Sequence, residues 1–194
     1  MHTPNPLPLS FYQHHDVVYL AKTLLGKVLL THIDGHLTGG PIIETEAYWG
    51  VEDRACHAYG GRRTKRTEVM FRKGGIAYVF LIYGLHSCFN IVTHCEGHPH
   101  AVLIRAIKPT IGIETMLQRR NKIKLDKTLT SGPGSTAQAL KITTALTGIP
   151  LDRPPIWLED RGIQVKKFEA TPRIGVDYAG EDARLPWRFV AEIA

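Results

Sequence analysis

The stretch that most limits the possible folds is the apolar run IAYVFLIYGLHSCFNIV (residues 76–92), which Tyr83 and Gly84 divide in the middle. Each half is far too short to cross a bilayer but has the length of a buried strand. The run predicts an antiparallel hairpin with strands at 76–82 and 85–94, joined by a turn that carries Tyr83. An aromatic side chain at that turn either folds back onto the hairpin or stands free of the surface, and composition favours neither.

The other apolar segments predict further strands with helices between them. Residues 27–32 and 37–48 have strand character and are joined at Asp34-Gly35, a dipeptide typical of two-residue hairpin turns. More strands are predicted at 101–107, at two places after RPPIWLED and at LPWRFV, and helices at 16–25, 112–122 and 135–146, the last capped by Ser135 or Thr136. This order indicates an α+β domain rather than a doubly wound parallel sheet.

Composition limits the class of protein. The 194 residues include 43% hydrophobic and 22% charged side chains, so we expect one globular domain, residues 1–194, with a flexible tail over about residues 1–10. No segment has the length of a membrane span or the apolar core of a signal peptide, so a soluble, intracellular protein is expected. Cys56, Cys88 and Cys95 form no CxxC pair, which argues against disulfides, an iron-sulfur site and a four-cysteine zinc site.

The net charge of +6 is concentrated in two segments. The first, GGRRTKRTEVMFRKGG, contains Thr64 and Thr67 together with six cations: Arg62, Arg63, Lys65, Arg66, Arg72 and Lys73. Cations and hydroxyls in a loop bounded by glycines can contact phosphates, so this loop is expected to bind a polyanion. The second segment, RRNKIKLDK from Arg119, continues a helical pattern and is equally well explained as a solvated helix face.

Acidic side chains follow directly on the apolar start of the strand at 37–48. Glu44 and Glu46 are two residues apart, so their side chains share one face of the strand, and Tyr48 continues that face. Two carboxylates beside an aromatic ring would suit a water-activating base next to a flat substrate. The alternative is an exposed polar strand face.

A metal site is the weaker interpretation of these acidic residues. It would combine Glu44, Glu46, Asp53 and His57, but no short zinc spacing such as HExxH is present. HCEGHPH (residues 94–100) is a second group of potential ligands, which the sequence favours as a polar turn. The deaminase pattern and the Walker, GxGxxG and GxSxG motifs are absent, which excludes the corresponding deaminase, nucleotide-binding and serine-hydrolase classes.

Several long motifs occur in an order that identifies a family. ETEAYWGVEDRACH, MFRKGGIAYVFLIYGLHSCFNIV, VLIRAIKP, SGPG followed by AQAL, and RIGVDYAGEDARLPWRF together resemble the alkyladenine, or 3-methyladenine, DNA glycosylases of the non-helix-hairpin-helix type. The resemblance covers residues 11–189. It implies a single compact domain with a curved, open-barrel-like antiparallel sheet and flanking helices. It also implies an enzyme of base-excision repair that flips a damaged purine out of duplex DNA and hydrolyses its N-glycosidic bond.

The resemblance assigns catalytic roles to three residues. Glu46 would be the general base that activates the attacking water, and Arg105 and the main-chain carbonyl of Val176 would help to hold that water. A carboxylate at this place would also stabilise the positive charge that develops on the sugar. No lysine is needed to form a Schiff base, so the reaction should leave an abasic site uncut.

The resemblance also implies a base pocket and an intercalating residue. Tyr48 and His57 would stack on the extruded base, and Asn90 would crowd the exocyclic amine of guanine. Phe80 stands where the vertebrate members have a third pocket tyrosine, which leaves the fine base preference open. Tyr83 matches the residue that enters the base stack, and filling the vacated space would offset part of the cost of flipping.

The remaining expectations concern partners and alternatives. Double-stranded DNA with damaged purines is the expected partner, with Arg62, Arg63, Lys65, Arg66 and Lys73 on its phosphates. We expect a monomer without metal or other cofactor, located in the nucleoid or cytoplasm of a bacterium or the nucleus of a eukaryote. Ser135 replaces the usual lysine after SGPG, which weakens one phosphate contact, and Glu44 is expected to make a structural hydrogen bond. The alternatives are a catalytically silent nucleic-acid-binding domain and a metal-dependent hydrolase.

Overall fold

The computed structural model describes residues 4–194, in which nine antiparallel strands form one sheet with helices packed against it. The strands are β1 (Val28–Ile33), β2 (His36–Tyr48), β3 (Ile76–Ile82), β4 (His86–Thr93), β5 (His100–Ile107), β6 (Asp152–Arg153), β7 (Ile156–Glu159), β8 (Val165–Thr171) and β9 (Arg188–Ile193). The α-helices are α1 (Val17–Thr23), α2 (Ile113–Arg119) and α3 (Pro133–Ala139). The strand order is β3-β4-β5-β2-β1-β7-β6, with β9 pairing with both β2 and β8.

The long strand β2 gives the sheet its shape, because its two halves pair with different strands. The first half pairs with β1, and the second half lies between β5 and β9. A side chain at Gly40 would place its Cβ 1.9 Å from the carbonyl oxygen of Lys108, so only glycine allows the chains to approach so closely there. The pairing with β5 shifts register between Ile42 and Thr45, and such bulges bend a strand. The sheet therefore curls into a half-barrel, which confirms the predicted α+β class.

The main core lies between the concave sheet and the helices. Helix α1 begins after Asp16, whose carboxylate accepts a hydrogen bond from the amide of Tyr19, and it buries Leu20 and Ala21 against the sheet. Thr45 Oγ1 donates to the carbonyl oxygen of Ala21 at 2.9 Å, which ties the helix to β2. Since Thr45 uses the core face of β2 in this way, Glu44 and Glu46 must use the opposite face.

The predicted strands agree closely with the structure, while the helix predicted at 135–146 was wrong in extent. The first hairpin turns at Asp34 and Gly35, both with positive φ (54° and 76°), as a two-residue turn requires. Helix α3 begins at Pro133 and ends at Ala139, so it is much shorter than the predicted 135–146. Neither Ser135 nor Thr136 caps it, because Ser135 accepts a bond from Arg120 and Thr136 donates to Arg105 and Thr130.

The chain near its N-terminus is packed, which corrects the predicted tail over residues 1–10. Leu7 is buried, and its amide donates to the carbonyl oxygen of Leu158 on β7 at 2.7 Å. Residues 9–13 form a 3-10 turn in which Tyr12 is completely buried. The part of the predicted tail formed by residues 1–3 lies outside the described residues.

Two further expectations can be compared with the structure. Cys56, Cys88 and Cys95 are free thiols, the first two buried and the third exposed. Within residues 4–194 no helix has the length and apolar character needed to cross a bilayer.

Candidate active site

A cavity of about 390 Å³ opens at the end of β2. It is lined by strand residues and by two loops, one around Cys56 and His57 and the other at 174–178. Its walls are largely apolar, with several aromatic rings and a small number of polar groups, as is typical of ligand sites. The aromatic residues are Tyr48, His57, Tyr78, Phe80, Tyr83 and Tyr178.

The carboxylate of Glu46 lies beside this cavity and has no exposed surface. Its Oε1 accepts a 2.8 Å hydrogen bond from the amide of Ile174 and lies 3.3 Å from Nη1 of Arg105. Its Oε2 accepts a 2.8 Å bond from the hydroxyl of Tyr48. A buried carboxylate is costly unless it is paired and hydrogen-bonded, and these three donors meet that requirement.

Glu44 binds two arginine side chains that the sequence did not identify as its partners. Its Oε1 accepts hydrogen bonds from Nε of Arg105 at 2.8 Å and from Nε of Arg188 at 2.6 Å. Arg105 therefore bridges the two carboxylates of β2, while Arg188 on β9 holds Glu44 from the other side. Burial alone would lower the pKa of Arg105, but the charges of Glu46 and Glu44 raise it above its ordinary value.

The hydroxyl of Tyr48 is kept protonated by its surroundings. Burial raises its pKa well above 10, and the charge of Glu46 raises it further. A protonated phenol can only donate to the carboxylate, so Tyr48 and Glu46 are fixed relative to each other. The guanidinium carbon of Arg173 lies 4.9 Å from the centre of the Tyr48 ring on one side.

Arg173 is the residue of the site that sequence reasoning missed. It makes a completely buried two-pronged ion pair with Asp53, at 2.5 and 2.9 Å, and also donates to the carbonyl oxygen of Ala47. It directly precedes Ile174, so this anchor fixes the segment whose amide reaches Glu46. Both residues lie in motifs that carry the family resemblance, Arg173 in RIGV and Asp53 in VEDR. The sequence does not indicate that these two residues pair with each other.

His57 closes another wall of the cavity. Its Nδ1 lies 2.8 Å from the hydroxyl of Tyr78, and its ring meets the ring of Phe80 edge-on at 4.5 Å. Burial, with the nearby charges of Arg66 and Arg62, lowers the pKa of His57 to about 4. The imidazole is therefore neutral at physiological pH.

Asn90 and Val176 contribute polar groups to the cavity. The side-chain nitrogen of Asn90 donates to the carbonyl oxygens of Tyr78 and Cys88, both at 3.2 Å, so its oxygen is the group left to meet a ligand. The carbonyl oxygen of Val176 already accepts a 2.8 Å bond from the amide of Ala179. A carbonyl oxygen has two lone pairs, so one can still hold a water.

Tyr83 lies at the rim of the cavity, with 90% of its surface exposed. Tyr83 and Gly84 have φ values of 53° and 68° and lie in the three-residue turn between Ile82 and His86, which pair with each other. A tyrosine in the left-handed region is uncommon and energetically unfavourable. The side chain does not fold back onto the hairpin, so of the two arrangements left open by the sequence the free one is observed.

The predicted phosphate-binding loop is exposed, but its members differ. Arg62, Lys65, Arg66 and Lys73 extend into solvent, whereas Arg63 makes a bidentate pair with Glu68 and lies over the ring of Phe71. Thr67 is buried, and its hydroxyl donates to the carbonyl oxygen of Arg62, so it holds the loop in shape and does not face a ligand. The expected contribution of this hydroxyl to anion binding was wrong.

The two arginines of the second basic segment are part of the fold. Arg119 donates to Thr38, Ala139 and Ile33, and Arg120 donates to Leu129, Ser135 and Gln138. These guanidinium groups close the ends of neighbouring elements, whereas Lys124 and Lys127 of the same segment are exposed to solvent.

The residues of the metal interpretation have other partners. Glu46 is paired with Arg105, Asp53 with Arg173, and His57 with Tyr78. Within residues 4–194 the one group of side chains close enough to hold an ion is His94, Cys95 and His98, in the loop between β4 and β5.

Comparison with known proteins places this site in context. Residues 10–193 match the sequence model of the family described as methylpurine-DNA glycosylase. A relative from Chlamydia abortus is 51% identical over 96% of this chain and 98% of its own length. Relatives from Bacillus cereus and Desulfitobacterium hafniense are 47% and 44% identical, each over 94% of this chain and 93% of their own length. All three carry a provisional name as 3-methyladenine DNA glycosylases.

Proposed function

Because the chain belongs to the methylpurine-DNA glycosylase family, a family of DNA repair, we propose that it takes a damaged purine nucleotide out of duplex DNA into the cavity at β2 and hydrolyses its N-glycosidic bond. The observation that carries this proposal is the buried carboxylate of Glu46 beside an aromatic cavity. Three donors hold this carboxylate in place beside the cavity, where it can act as a general base.

In the proposed reaction, Glu46 takes one proton from a water whose oxygen bonds to C1′ of the sugar. The bond between C1′ and the purine nitrogen breaks, and its electron pair leaves with the base. A cationic alkylated base leaves as a neutral molecule, whereas a neutral purine such as hypoxanthine takes up one proton from solvent. Arg105 and the Val176 carbonyl orient the water, and the carboxylate also stabilises the positive charge developing on the sugar. Base and abasic sugar are the products.

The water needs access to the carboxylate. Glu46 has no surface that solvent can touch in the free protein, since Tyr48 and the amide of Ile174 cover its two oxygens. We therefore infer that entry of the nucleotide displaces segment 174–176 or the Tyr48 hydroxyl and admits the water. Exclusion of bulk water before that step also prevents unproductive chemistry.

The walls of the cavity suit a purine. Tyr48 and His57 provide rings on which the base can stack, and base-aromatic stacking is worth about 1–3 kcal/mol. Alkylation at a ring nitrogen makes the base cationic, and a neutral His57 with electron-rich rings such as Tyr48 and Phe80 accommodates a cation better than an imidazolium would. Asn90 is the group that would crowd the exocyclic amine of guanine.

DNA binding in this proposal uses the exposed groups around the cavity. Arg62, Lys65, Arg66 and Lys73 contact phosphates, and Tyr83 fills the space left by the flipped nucleotide. Arg62 and Arg66 are near enough to the cavity to affect the pKa of His57, so the basic loop borders the base pocket. No lysine lines the described cavity, which supports a monofunctional enzyme that leaves the abasic strand uncut. We propose that it acts as a monomer inside the cell.

The test is release of free base from duplexes carrying 3-methyladenine, 7-methylguanine, hypoxanthine or ethenoadenine, under single-turnover conditions. Glu46→Gln should bind DNA normally and lose at least ~100-fold in rate, the contribution of a positioned base. Glu52→Gln, at an exposed position on the neighbouring turn, is the matched control and should react like the wild type. Wild-type protein that binds lesion DNA but releases no base would support the silent binding domain, and a Glu46→Gln rate near the wild type would move the base to another residue.

A further inference from the structure

The loop between β4 and β5 brings together three potential metal ligands away from the base cavity. The ligand atoms of His94, Cys95 and His98 all lie within 4.8 Å of one another, and Cys95 Sγ is 3.3 Å from His98 Nδ1. Cys95 and His98 are exposed and His94 is half-buried, so an ion can reach them from solvent. Strand β4 runs from the Tyr83 turn at one end to this loop at the other, so the cluster is at the far end of the strand from the DNA-facing hairpin tip.

The backbone holds this cluster in place. The amide of His94 donates to Tyr12, the amide of Gly74 donates to the carbonyl oxygen of His94, and the amide of Gly97 donates to Phe71, all at 2.8–2.9 Å. The ring of His94 is oriented too, because its Nδ1 accepts a 2.6 Å bond from the amide of Cys95. Nε2 of His94 is therefore the atom left to bind an ion. A loop fixed in this way loses little freedom when a ligand binds.

A neighbouring histidine adds an independent observation. His100 is only 7% exposed, and its Nδ1 has no hydrogen-bond partner among residues 4–194. Its ring meets the ring of His94 edge-on, with centroids 4.9 Å apart. Buried polar atoms are nearly always satisfied, so the unpaired nitrogen of His100 is a further hydrogen-bonding group beside the three potential ligands.

We propose that His94, Cys95 and His98 bind one Zn²⁺ ion through a thiolate and two imidazole nitrogens, with the fourth position open to water. Nitrogen and sulfur ligands in a tetrahedral arrangement are what zinc prefers, and a thiolate disfavours Mg²⁺ and Ca²⁺. Zinc bonds of about 2.3 Å to sulfur and 2.1 Å to nitrogen put those two ligands about 3.6 Å apart in a tetrahedron. The observed 3.3 Å between Cys95 and His98 is close to that separation.

The geometry indicates a stabilising role for this ion. The loop is bonded to Tyr12 in the N-terminal segment and to Gly74 and Phe71 before β3, so an ion that holds the loop in shape would stabilise its contacts with these two segments. None of the three ligands lines the base cavity. The ion is thus independent of the proposed base chemistry, and the metal proposal can be tested whether or not that chemistry is confirmed.

The experiment uses the full chain, reduced and freed of metal with a chelator that is then removed. Titration with Co²⁺ should give one equivalent bound with a near-ultraviolet sulfur-to-cobalt band, and Zn²⁺ should displace it and raise the melting temperature. Cys95→Ser should abolish the band, and both it and His98→Ala should weaken Zn²⁺ binding by at least about tenfold. His36→Ala, an exposed histidine in the β1–β2 hairpin, is the matched control and should bind like the wild type.

Two results would overturn the inference. One is the absence of a stoichiometric site in the reduced wild-type protein. The other is a Cys95→Ser variant that binds Co²⁺ with unchanged affinity and spectrum. Circular dichroism of each variant shows that the fold is intact, and His98→Ala keeps the test valid if the serine variant folds poorly.

Discussion

Arg105 Nε donates a 2.8 Å hydrogen bond to Glu44, and this contact turns the guanidinium so that Nη1 lies 3.3 Å from Glu46. Glu44 is thus two residues from the proposed base, Glu46, in sequence, and the side chain of Arg105 lies between the two carboxylates. It contacts the reacting atoms only through Arg105. We interpret Glu44 as a positioning residue, which gives it the role that the sequence could not supply.

The first prediction follows from this contact. Glu44→Gln weakens a charge-assisted bond worth about 1.5–3 kcal/mol, and part of that loss should appear as roughly tenfold slower base release. The dissociation constant for lesion DNA should stay the same, because Glu44 does not face the cavity. Single-turnover rates and binding by fluorescence anisotropy measure the two quantities. Equal loss in binding and rate would indicate a general structural defect.

The second prediction concerns the buried pair of Arg173 and Asp53. Asp53→Asn removes the charge that compensates a buried guanidinium, and breaking such a pair typically costs about 3–5 kcal/mol. Urea denaturation should show this loss, whereas Glu192→Gln, which breaks the exposed pair with Lys167, should have little effect. If Asp53→Asn were as stable as the control, the pair would not anchor segment 173–176.

The third prediction is a pH dependence of stability due to His57. Its pKa is lowered from 6.5 to about 4 in the folded protein, so between these values the unfolded chain binds more protons. The contribution to stability is therefore full above pH 6.5 and is lost as the pH falls towards 4. His57→Gln should flatten the slope of the unfolding free energy against pH in that window. His100, whose pKa is also lowered to about 4, should leave part of the slope in place. An unchanged slope would mean that the pKa of His57 in the folded protein is close to that in the unfolded chain.

The fourth prediction compares the contributions of the cations in the basic loop to the salt dependence of DNA binding. Replacing Arg62 and Arg66 together by Ala should reduce the slope of log affinity against log salt by about one to two, since each phosphate contact contributes roughly 0.9. Arg63→Ala is the control, because that guanidinium is already paired with Glu68 and should change the slope less. A double variant with the wild-type slope would identify the loop as a solvated surface.

Local sequence patterns predicted the helices and strands, but they did not predict contacts between residues far apart in the sequence. The apolar run divided by Tyr83 and Gly84 predicted the β3–β4 hairpin with its turn, and the spacing of Glu44 and Glu46 put both carboxylates on one strand face. The pairing of Arg173 with Asp53 joins residues 120 positions apart, and no periodicity encodes such a contact.

The partners of the arginines in the basic segment that begins at Arg119 were missed for a related reason. Its charges have the spacing of a solvated helix face, yet the helix ends at Arg119, and the guanidinium groups find the unpaired carbonyl oxygens of neighbouring chain ends. Leu7 was assigned to a tail because short Pro-rich segments lack a pattern, although a single backbone bond to Leu158 holds it in place. In both cases the deciding partner comes from another part of the chain.

The last prediction concerns Tyr83, whose exposed ring lies at the rim of the cavity and whose substitution would separate a base-flipping enzyme from a surface binder. Tyr83→Ser removes stacking worth ~1–3 kcal/mol from the flipped state, so base release from duplex DNA should slow at limiting enzyme. The loss should be smaller for a mispaired lesion, whose extrusion already costs less. Leu85→Ser, beside the same turn and 78% exposed, is the matched control for losing an apolar group there.

The measurement compares paired and mismatched hypoxanthine duplexes, with a fluorescent base analogue reporting extrusion and thermal melting reporting the fold. Serine at this position should not destabilise the protein, because the tyrosine ring buries little surface in the free protein. The backbone of residue 83 is in an unfavourable left-handed conformation with either side chain. Should Tyr83→Ser melt several degrees lower yet extrude and release the base normally, the ring has a packing role and the intercalation assignment is wrong. Should Leu85→Ser be equally slow, the hairpin tip contributes general apolar contact, and Tyr83 has no special place in the base stack.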